Sequence, residues 1–448
     1  MDFNSALAYL ESFANLERLP GGSMRPYRLD RMEVLLELFG NPQNKFSSIH
    51  ISGSKGKGST GLFIACILND AGFKTGLYAS PHVHSYRERI TRAGEPFPDE
   101  LLVDLIVTIK QVIEGLPSGS LPGQDKPTTF ELLTLLSYLA FARERVEWAV
   151  IETGIGGRLD ATNVLSPKAT VHTPVELEHT EVLGDTVEKI AAEKAGIIKA
   201  GTPAYCGLQK PEALSVFAQK ARSVDAPFIE LAKEIPGMQI APSGGRFSGL
   251  LTLKNGDQVE IDPGMPGAFQ VENASLALLV TDPLLAGFGI SKEERRKIIR
   301  QAVARAKLPG RMELINDRPP VMIDAAHTPS STARLMEAYS TMFPPGGILL
   351  FGSVMGKDPA AMARVLSPHF NRVVISTPGT FKMSDPQSVF KAFGGVHPAV
   401  ELILDPKSAL LRVLDLAVPN TPVLVTGSFY MIAEIRRLLP SCVYKKAG

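Results

Sequence analysis

The segment running from Phe46 through Asn69 constrains this chain more than any other. An extended, β-rich run, Phe46 to Ser52, feeds the turn Gly53-Ser-Lys-Gly-Lys-Gly58, and Ser59 opens a helix reaching about Asn69. Glycines at 53, 56 and 58 let the backbone bend tightly and turn its N–H groups toward one point. The helix N-terminus adds partial positive charge there, and Lys57 adds a full one, which together suit a polyphosphate. Ser59 or Thr60 is placed to set a hydroxyl on a magnesium ion bound with it. The spacing departs from the usual P-loop. Gly58 separates Lys57 from Ser59, and no glycine stands five residues before Gly56.

A strand–loop–helix of this kind belongs to α/β architecture, and apolar strand-like runs alternate with helical ones throughout the chain. Strands are expected at Ser47–Ser52, Thr75–Ala79, Trp148–Glu152, Ala169–Thr173 and Thr202–Cys206, with helices such as Pro127–Arg145 and Asp185–Lys199 between them. Asp185 is the expected N-cap of the latter. Phe247–Leu253 and Gln258–Asp262 flank Asn255-Gly256, a hairpin signal read as a small antiparallel extension. Helices follow over Gln270–Ala286 and Lys292–Ala306. Leu308-Pro309-Gly310 reads as a linker. A second α/β alternation runs from strand Pro320–Asp324 to a helix starting at Phe429, without Gly-x-Gly-x-x-Gly after its first strand. The expected division is residues 1–306, carrying the nucleotide loop on a parallel sheet, and 307–448, a Rossmann-like domain. Met1 to Glu17 reads as an amphipathic helix with Leu7, Leu10 and Phe13 on one side.

The net charge is +1 over 448 residues, which gives no support to a nucleic-acid or anionic-membrane partner. No apolar run is long enough to span a bilayer. Cys66, Cys206 and Cys442 lack metal-like spacing, and so few cysteines fit a reducing cytoplasm.

Candidate chemistry collects at the carboxyl ends of the expected strands, where open α/β sheets bind ligands. Glu152 ends the run Val-Glu-Trp-Ala-Val-Ile-Glu and faces the loop as a magnesium ligand would. His179 follows another strand. Asp324 and His327 end the first strand of the second half, and Arg311 lies just past the linker. An arginine and an Asp/His pair across a cleft from a phosphate loop suggest phosphoryl chemistry. On composition alone Lys194 reads as a solvated helix lysine.

These residues sit in motifs that resemble the folylpolyglutamate synthase/dihydrofolate synthase family, within the Mur ligase superfamily. The motifs are Gly40-Asn-Pro-Gln43, the loop Ile49–Thr60, Gly76-Leu-Tyr-Ala-Ser-Pro-His82 with Tyr86-Arg-Glu-Arg-Ile90, and Thr129-Phe-Glu131. They continue with Glu152-Thr-Gly-Ile-Gly-Gly-Arg-Leu-Asp-Ala-Thr-Asn-Val164, Glu178–Thr186, Glu193–Ile197, Pro309-Gly-Arg311, Asp324-Ala-Ala-His327 and Gly427-Ser-Phe-Tyr430.

The resemblance implies a monomeric, cytoplasmic ligase that joins L-glutamate to a pterin or folate carboxylate, using ATP and two Mg2+ ions. It implies ATP contacts from Gly53, Ser54, Gly56, Lys57, Gly58, Ser59, Thr60, Asn273, Arg311, Asp324 and His327. It implies metal contacts from Ser59, Ser80, Glu152, His179 and Lys194, the lysine being carbamylated. His82, Arg89, Asp160 and Asn163 would approach the pterin substrate, and Lys57, Glu152, His179, Lys194 and Arg311 would carry catalysis. The chain departs from the family pattern in reading Gly-Ser-Lys-Gly-Lys for Gly-Thr-Asn-Gly-Lys. It also has Glu176 and Glu178 for a Gly and an Asp, Ala325 and Thr328 for Gly and Asn, and Arg87 for Asn. The alternatives are a Mur-type ligase acting on a non-folate carboxylate, such as a cell-wall precursor, and a nucleotide-binding regulator without catalysis.

Overall fold

A computed structural model describes residues 2–15, 28–380 and 382–443. Eight strands build the first sheet: β1 (Ser47–Ser52), β2 (Thr75–Tyr78), β3 (Ile90–Arg92), β4 (Glu95–Pro96), β5 (Trp148–Glu152), β6 (Ala169–His172), β7 (Ala204–Cys206) and β8 (Phe228–Glu230). Their order is β4-β3-β2-β5-β1-β6-β7-β8. All pairings are parallel except those of β3, with β2 and β4. β1 is central, with Ile49 opposite Val150 on one side and Ala169 on the other. A strand covered on both faces needs an apolar run rather than alternation, which is why β1 and β5 are legible as unbroken stretches.

The helix Lys57–Asp70 follows β1 and is buried over Ser59–Leu68. It packs between the sheet and the long helix Ala268–Gly287. The antiparallel extension has three strands, β9 (Gly237–Ser243), β10 (Arg246–Thr252) and β11 (Gln258–Ile261), so the expected hairpin gains a partner at β9. β9 was not expected because it carries Pro242 and buries neither face, which leaves it no apolar pattern.

The last sheet holds β12 (Glu313–Asp317), β13 (Pro320–Ile323), β14 (Gly347–Phe351), β15 (Phe370–Ile375), β16 (Val400–Leu402) and β17 (Val423–Thr426) in the order β12-β13-β17-β14-β15-β16. It is parallel apart from the edge strand β12. One apolar core runs through all three sheets, from Ile49 and Leu251 to Leu424.

Two expectations about helix ends are corrected. The helix carrying Lys194 spans Val187–Ala195 and is capped by Thr186, whose side chain accepts from Lys189 N. Asp185 instead pairs with Lys189 at the surface, at 2.8 Å. The first helix, Phe3–Glu11, buries Phe3, Ala6 and Leu10; Phe13 lies beyond its end, and residues 1, 16 and 17 of the expected span lie outside the described residues. Among the described residues no helix is long and apolar enough to cross a membrane.

Candidate active site

A cleft of about 1240 Å3 opens where β1, β5 and β6 end and the last sheet begins, bordered by residues from both. The phosphate loop forms its floor. Gly56 sits in the left-handed region at φ 87°, immediately before the helix starts at Lys57. A side chain there would meet Asn273 Oδ1 at 2.4 Å, so glycine is needed for both backbone shape and space. At Gly53 a Cβ would meet Thr173 Oγ1 at 1.9 Å.

Lys57 Nζ donates to the Gly53 carbonyl at 2.9 Å and lies 3.7 Å from Glu152 Oε1. Burial pushes the Glu152 carboxyl above the usual carboxylate range, against the pull of Lys57, the Ser80 N–H and Arg311. Ser80 N donates to Glu152 Oε2 at 3.3 Å. Ser59 borders the cleft; Thr60 lies behind it, with its hydroxyl 3.4 Å from Asn273 Oδ1.

From the other side of the cleft come Arg311, Asp324 and His327. Arg311 stacks over Phe429, 4.9 Å from the ring centre, and faces Asp324 and Glu152. Asp324 spends its oxygens on Met312 N and Ala326 N, at 2.9 and 2.8 Å, so it fixes the turn that presents Arg311. His327 Nδ1 lies 2.8 Å from the Ala325 carbonyl, which makes Nδ1 the donor and leaves Nε2 as an acceptor. Burial, with Lys55 and Lys357 nearby, holds this ring at about 3, so it is neutral.

Lys194 is buried, 2% exposed. Its Nζ donates to the Gly53 carbonyl at 2.8 Å and to Glu178 Oε1 at 3.1 Å. Burial pulls its pKa down to about 8, against the pull of Glu178. Burial pushes Glu178 up, but Lys194, Lys57, Lys55 and His179 outweigh it and hold it at about 2. His179 borders the same wall at φ 48°, its pKa lowered chiefly by burial.

The four expected substrate residues are occupied within the chain. Asp160 borders the cleft, but its carboxylate accepts from Gly154 N, Ile155 N, Thr162 N and Thr162 Oγ1. Asn163 donates to the Arg158 and Gly196 carbonyls, and Arg89 Nε donates to His82 Nδ1 at 2.8 Å.

The cleft is also bordered by Arg31, which no sequence motif marks, and by Phe130 and Leu159 from the Thr129-Phe-Glu131 and Glu152–Val164 motifs. Arg31 is 1% exposed and grips Glu131 through Nε and Nη2 at 2.8–3.1 Å. Lys55 also went unassigned; it lies 3.9 Å from Glu178. The acidic pair Glu176 and Glu178, arriving together with an extra loop lysine, was the available signal.

A phosphate loop backed by a buried carboxylate, with an arginine presented across the cleft by a second α/β sheet, defines an ATP-dependent ligase of the Mur type. The model of the Mur ligase middle domain matches residues 51–281, and that of the Mur ligase glutamate ligase domain matches residues 310–429. The dihydrofolate synthase/folylpolyglutamate synthase of Bacillus subtilis is 33% identical over 419 residues, covering 92% of this chain and 94% of the relative. The chain belongs to the folylpolyglutamate synthase/dihydrofolate synthase family. Its fold is similar to Mycobacterium tuberculosis folylpolyglutamate synthase complexed with ADP and AMPPCP, at TM-score 0.85 and 29% identity, covering 98% of this chain and 99% of that one. It is also similar to Escherichia coli FolC in complex with DHPP and ADP, at TM-score 0.81 and 25% identity, covering 98% of each chain.

Proposed function

We propose that this chain joins L-glutamate to the carboxylate of a pterin or folate, dihydropteroate or tetrahydrofolate, with cleavage of ATP to ADP and phosphate. The observation that carries this reading is that one cleft is bordered by the Lys57 loop, Glu152 and Arg311 and also by Arg31 and Phe130. The Escherichia coli relative, named for its complex with DHPP and ADP, supports two ligands in such a cleft.

In the first step a substrate carboxylate oxygen attacks the γ-phosphorus of ATP. The bond to ADP breaks, leaving an acyl phosphate. In the second, the amine of glutamate attacks the acyl carbon, loses a proton to solvent, and phosphate leaves. Lys57 and the Arg311 guanidinium spread the charge that develops on the transferred phosphoryl oxygens, and the loop N–H groups orient them. Neutral His327 offers Nε2 as an acceptor on the carboxyl-terminal side. Closing the two sheets over the acyl phosphate excludes water that would hydrolyse it.

Glu152 fits a cation: its buried carboxylate stands 3.7 Å from the Lys57 ammonium, beyond hydrogen-bond reach. Among the described residues no group of three His, Cys, Asp or Glu forms a ready metal cluster. Lys194 as an ammonium does not fit a metal, whereas its carbamate would supply oxygens beside His179, and a pKa near 8 gives the neutral amine that CO2 needs. Ser59, Ser80, Glu152, His179 and carbamylated Lys194 are therefore the proposed ligands for two Mg2+ ions, which supply charge neutralisation to the phosphates. We also read residues 1–306 and 307–448 as the two domains, the protein as a monomer, and its three free, buried cysteines as fitting a reducing cytoplasm.

The test is ADP release with ATP, Mg2+ and L-glutamate, offering dihydropteroate or tetrahydrofolate. Release with both acceptors assigns both activities to this chain, and release with one assigns that one. Lys57→Ala should lower turnover by about a thousandfold, the scale of one lost transition-state donor. Tight ATP binding without release on either acceptor would refute the reading.

A further inference from the structure

The segment after β6 touches both halves of the cleft. The Pro174 carbonyl accepts from Ser54 N at 2.9 Å and Lys55 N at 3.2 Å. Two residues on, the Glu176 carbonyl accepts from Ser54 Oγ at 3.2 Å. The backbone of this segment is thus pinned to the phosphate loop at three points. Its one long side chain there points the other way: Glu176 Oε2 accepts from Ser330 Oγ at 2.6 Å.

Ser330 lies in the first turn of the helix Pro329–Met342, in the carboxyl-terminal domain. A carboxylate at that end gains from the helix dipole as well as from the hydroxyl. The same turn is tightly built. Ser331 Oγ accepts from His327 N and Thr328 N, and Thr328 caps the helix. Moving Ser330 therefore moves His327 and Thr328, both of which line the cleft.

We infer that Glu176 is a positioning residue: through Ser330 it couples the seating of the carboxyl-terminal domain to the shape of the phosphate loop. With the bond made, the loop and the His327 turn hold one spacing across the nucleotide. With it broken, the domains retain their own folds and lose that spacing. Glu176 touches no reacting atom and works through Ser330 on one side and Ser54 on the other. The kinetic part of the test rests on the ligase reading; the distance part does not.

The experiment compares Glu176→Ala, Ser330→Ala, the double variant and Glu176→Gln. Dyes on the exposed positions Ser223→Cys and Lys407→Cys report the interdomain distance by energy transfer, with and without a non-hydrolysable ATP analogue. Each alanine variant should lower kcat/KM for ATP about five- to tenfold, the scale of one solvent-exposed hydrogen bond. The double variant should be no worse than the more impaired single one, because both remove the same bond. Glu176→Gln keeps an acceptor and should recover most of the rate. The nucleotide-bound distance distribution should broaden in the alanine variants while the melting temperature stays unchanged. Additive losses, or an unchanged distance distribution, would overturn the inference. Broadening in a protein that proves not to turn over would uphold the coupling and sink only the ligase reading.

Discussion

Replacing Gly56 by alanine isolates the phosphate loop from the rest of the fold. An alanine held at φ 87° bears roughly 1–2 kcal/mol of left-handed strain. Its Cβ would stand 2.4 Å from Asn273 Oδ1, so that side chain must swing out. Asn273 then gives up its hydrogen bonds with Thr60 and Gln270, at 3.4 and 3.1 Å, worth about 0.5–1 kcal/mol each. The sum is about 2–4 kcal/mol. An empty loop can relax out of the strain, whereas a loop wrapped on phosphates cannot, so the loss should appear in binding. Calorimetric affinity for a non-hydrolysable ATP analogue should fall by roughly 30-fold to several-hundred-fold. Gly72→Ala is the control. Residue 72 has φ 97°, nothing within 4 Å of a Cβ, and a place at the opposite end of the same helix. It should lose about 1–2 kcal/mol of stability and leave nucleotide affinity unchanged. Binding by Gly56→Ala within threefold of wild type, or an equal loss in Gly72→Ala, would refute the reasoning.

Glu131→Gln breaks the buried pair with Arg31 while leaving an acceptor for the Thr128 N–H; it should destabilise by about 3–5 kcal/mol in denaturant titration, and a loss under 1 kcal/mol would count against an ion pair there. Thr128→Ala, which removes the capping hydroxyl together with a buried methyl, should cost about 1–2 kcal/mol in the same assay. His50 and His172 are fully buried, and burial holds both at about 3, below the ordinary 6.5. Their neutral forms are favoured by the fold, so the contribution is fully present above pH 6.5 and is lost as pH falls toward 3. The stability gap between wild type and His50→Gln should accordingly shrink by about 1.4 kcal/mol per unit below pH 6, and a constant gap would contradict the assignment.

Much of this was legible in the residues. β1 and β5 were readable with their observed bounds because apolar runs closed by turn residues have one reading in an α/β chain. The edges were less so: β12 is a short strand of mixed polarity, and β9 lacks a buried face. Within the site, the loop glycines and Glu152 announced themselves by position after a strand. Lys194 did not, because a helical lysine reads as solvated until Glu178 and the Gly53 carbonyl are seen around it. The resemblance alone places Asp160 and Asn163 near the substrate, and their spacing does not reveal the N–H groups bonded to the Asp160 carboxylate or the carbonyls bonded to the Asn163 amide nitrogen. Arg31 was invisible for a related reason. Its partner Glu131 is a hundred positions away, and only the packing of two helices brings them together.

The oxygen of Gly53 receives two ammonium groups, Lys57 from the loop's own helix and Lys194 from the helix after β6. Two donors at one oxygen make the lysines rivals, since each limits the other's hold. Converting Lys194 to an anion would remove one rival and leave a negative charge beside the other. Lys57 would then find its resting place more attractive just as the metal side of the cleft becomes ready. Under the proposed carbamylation, loop and metal shell would therefore be tuned together, a chemical change on one lysine resetting the poise of the other through a single peptide group.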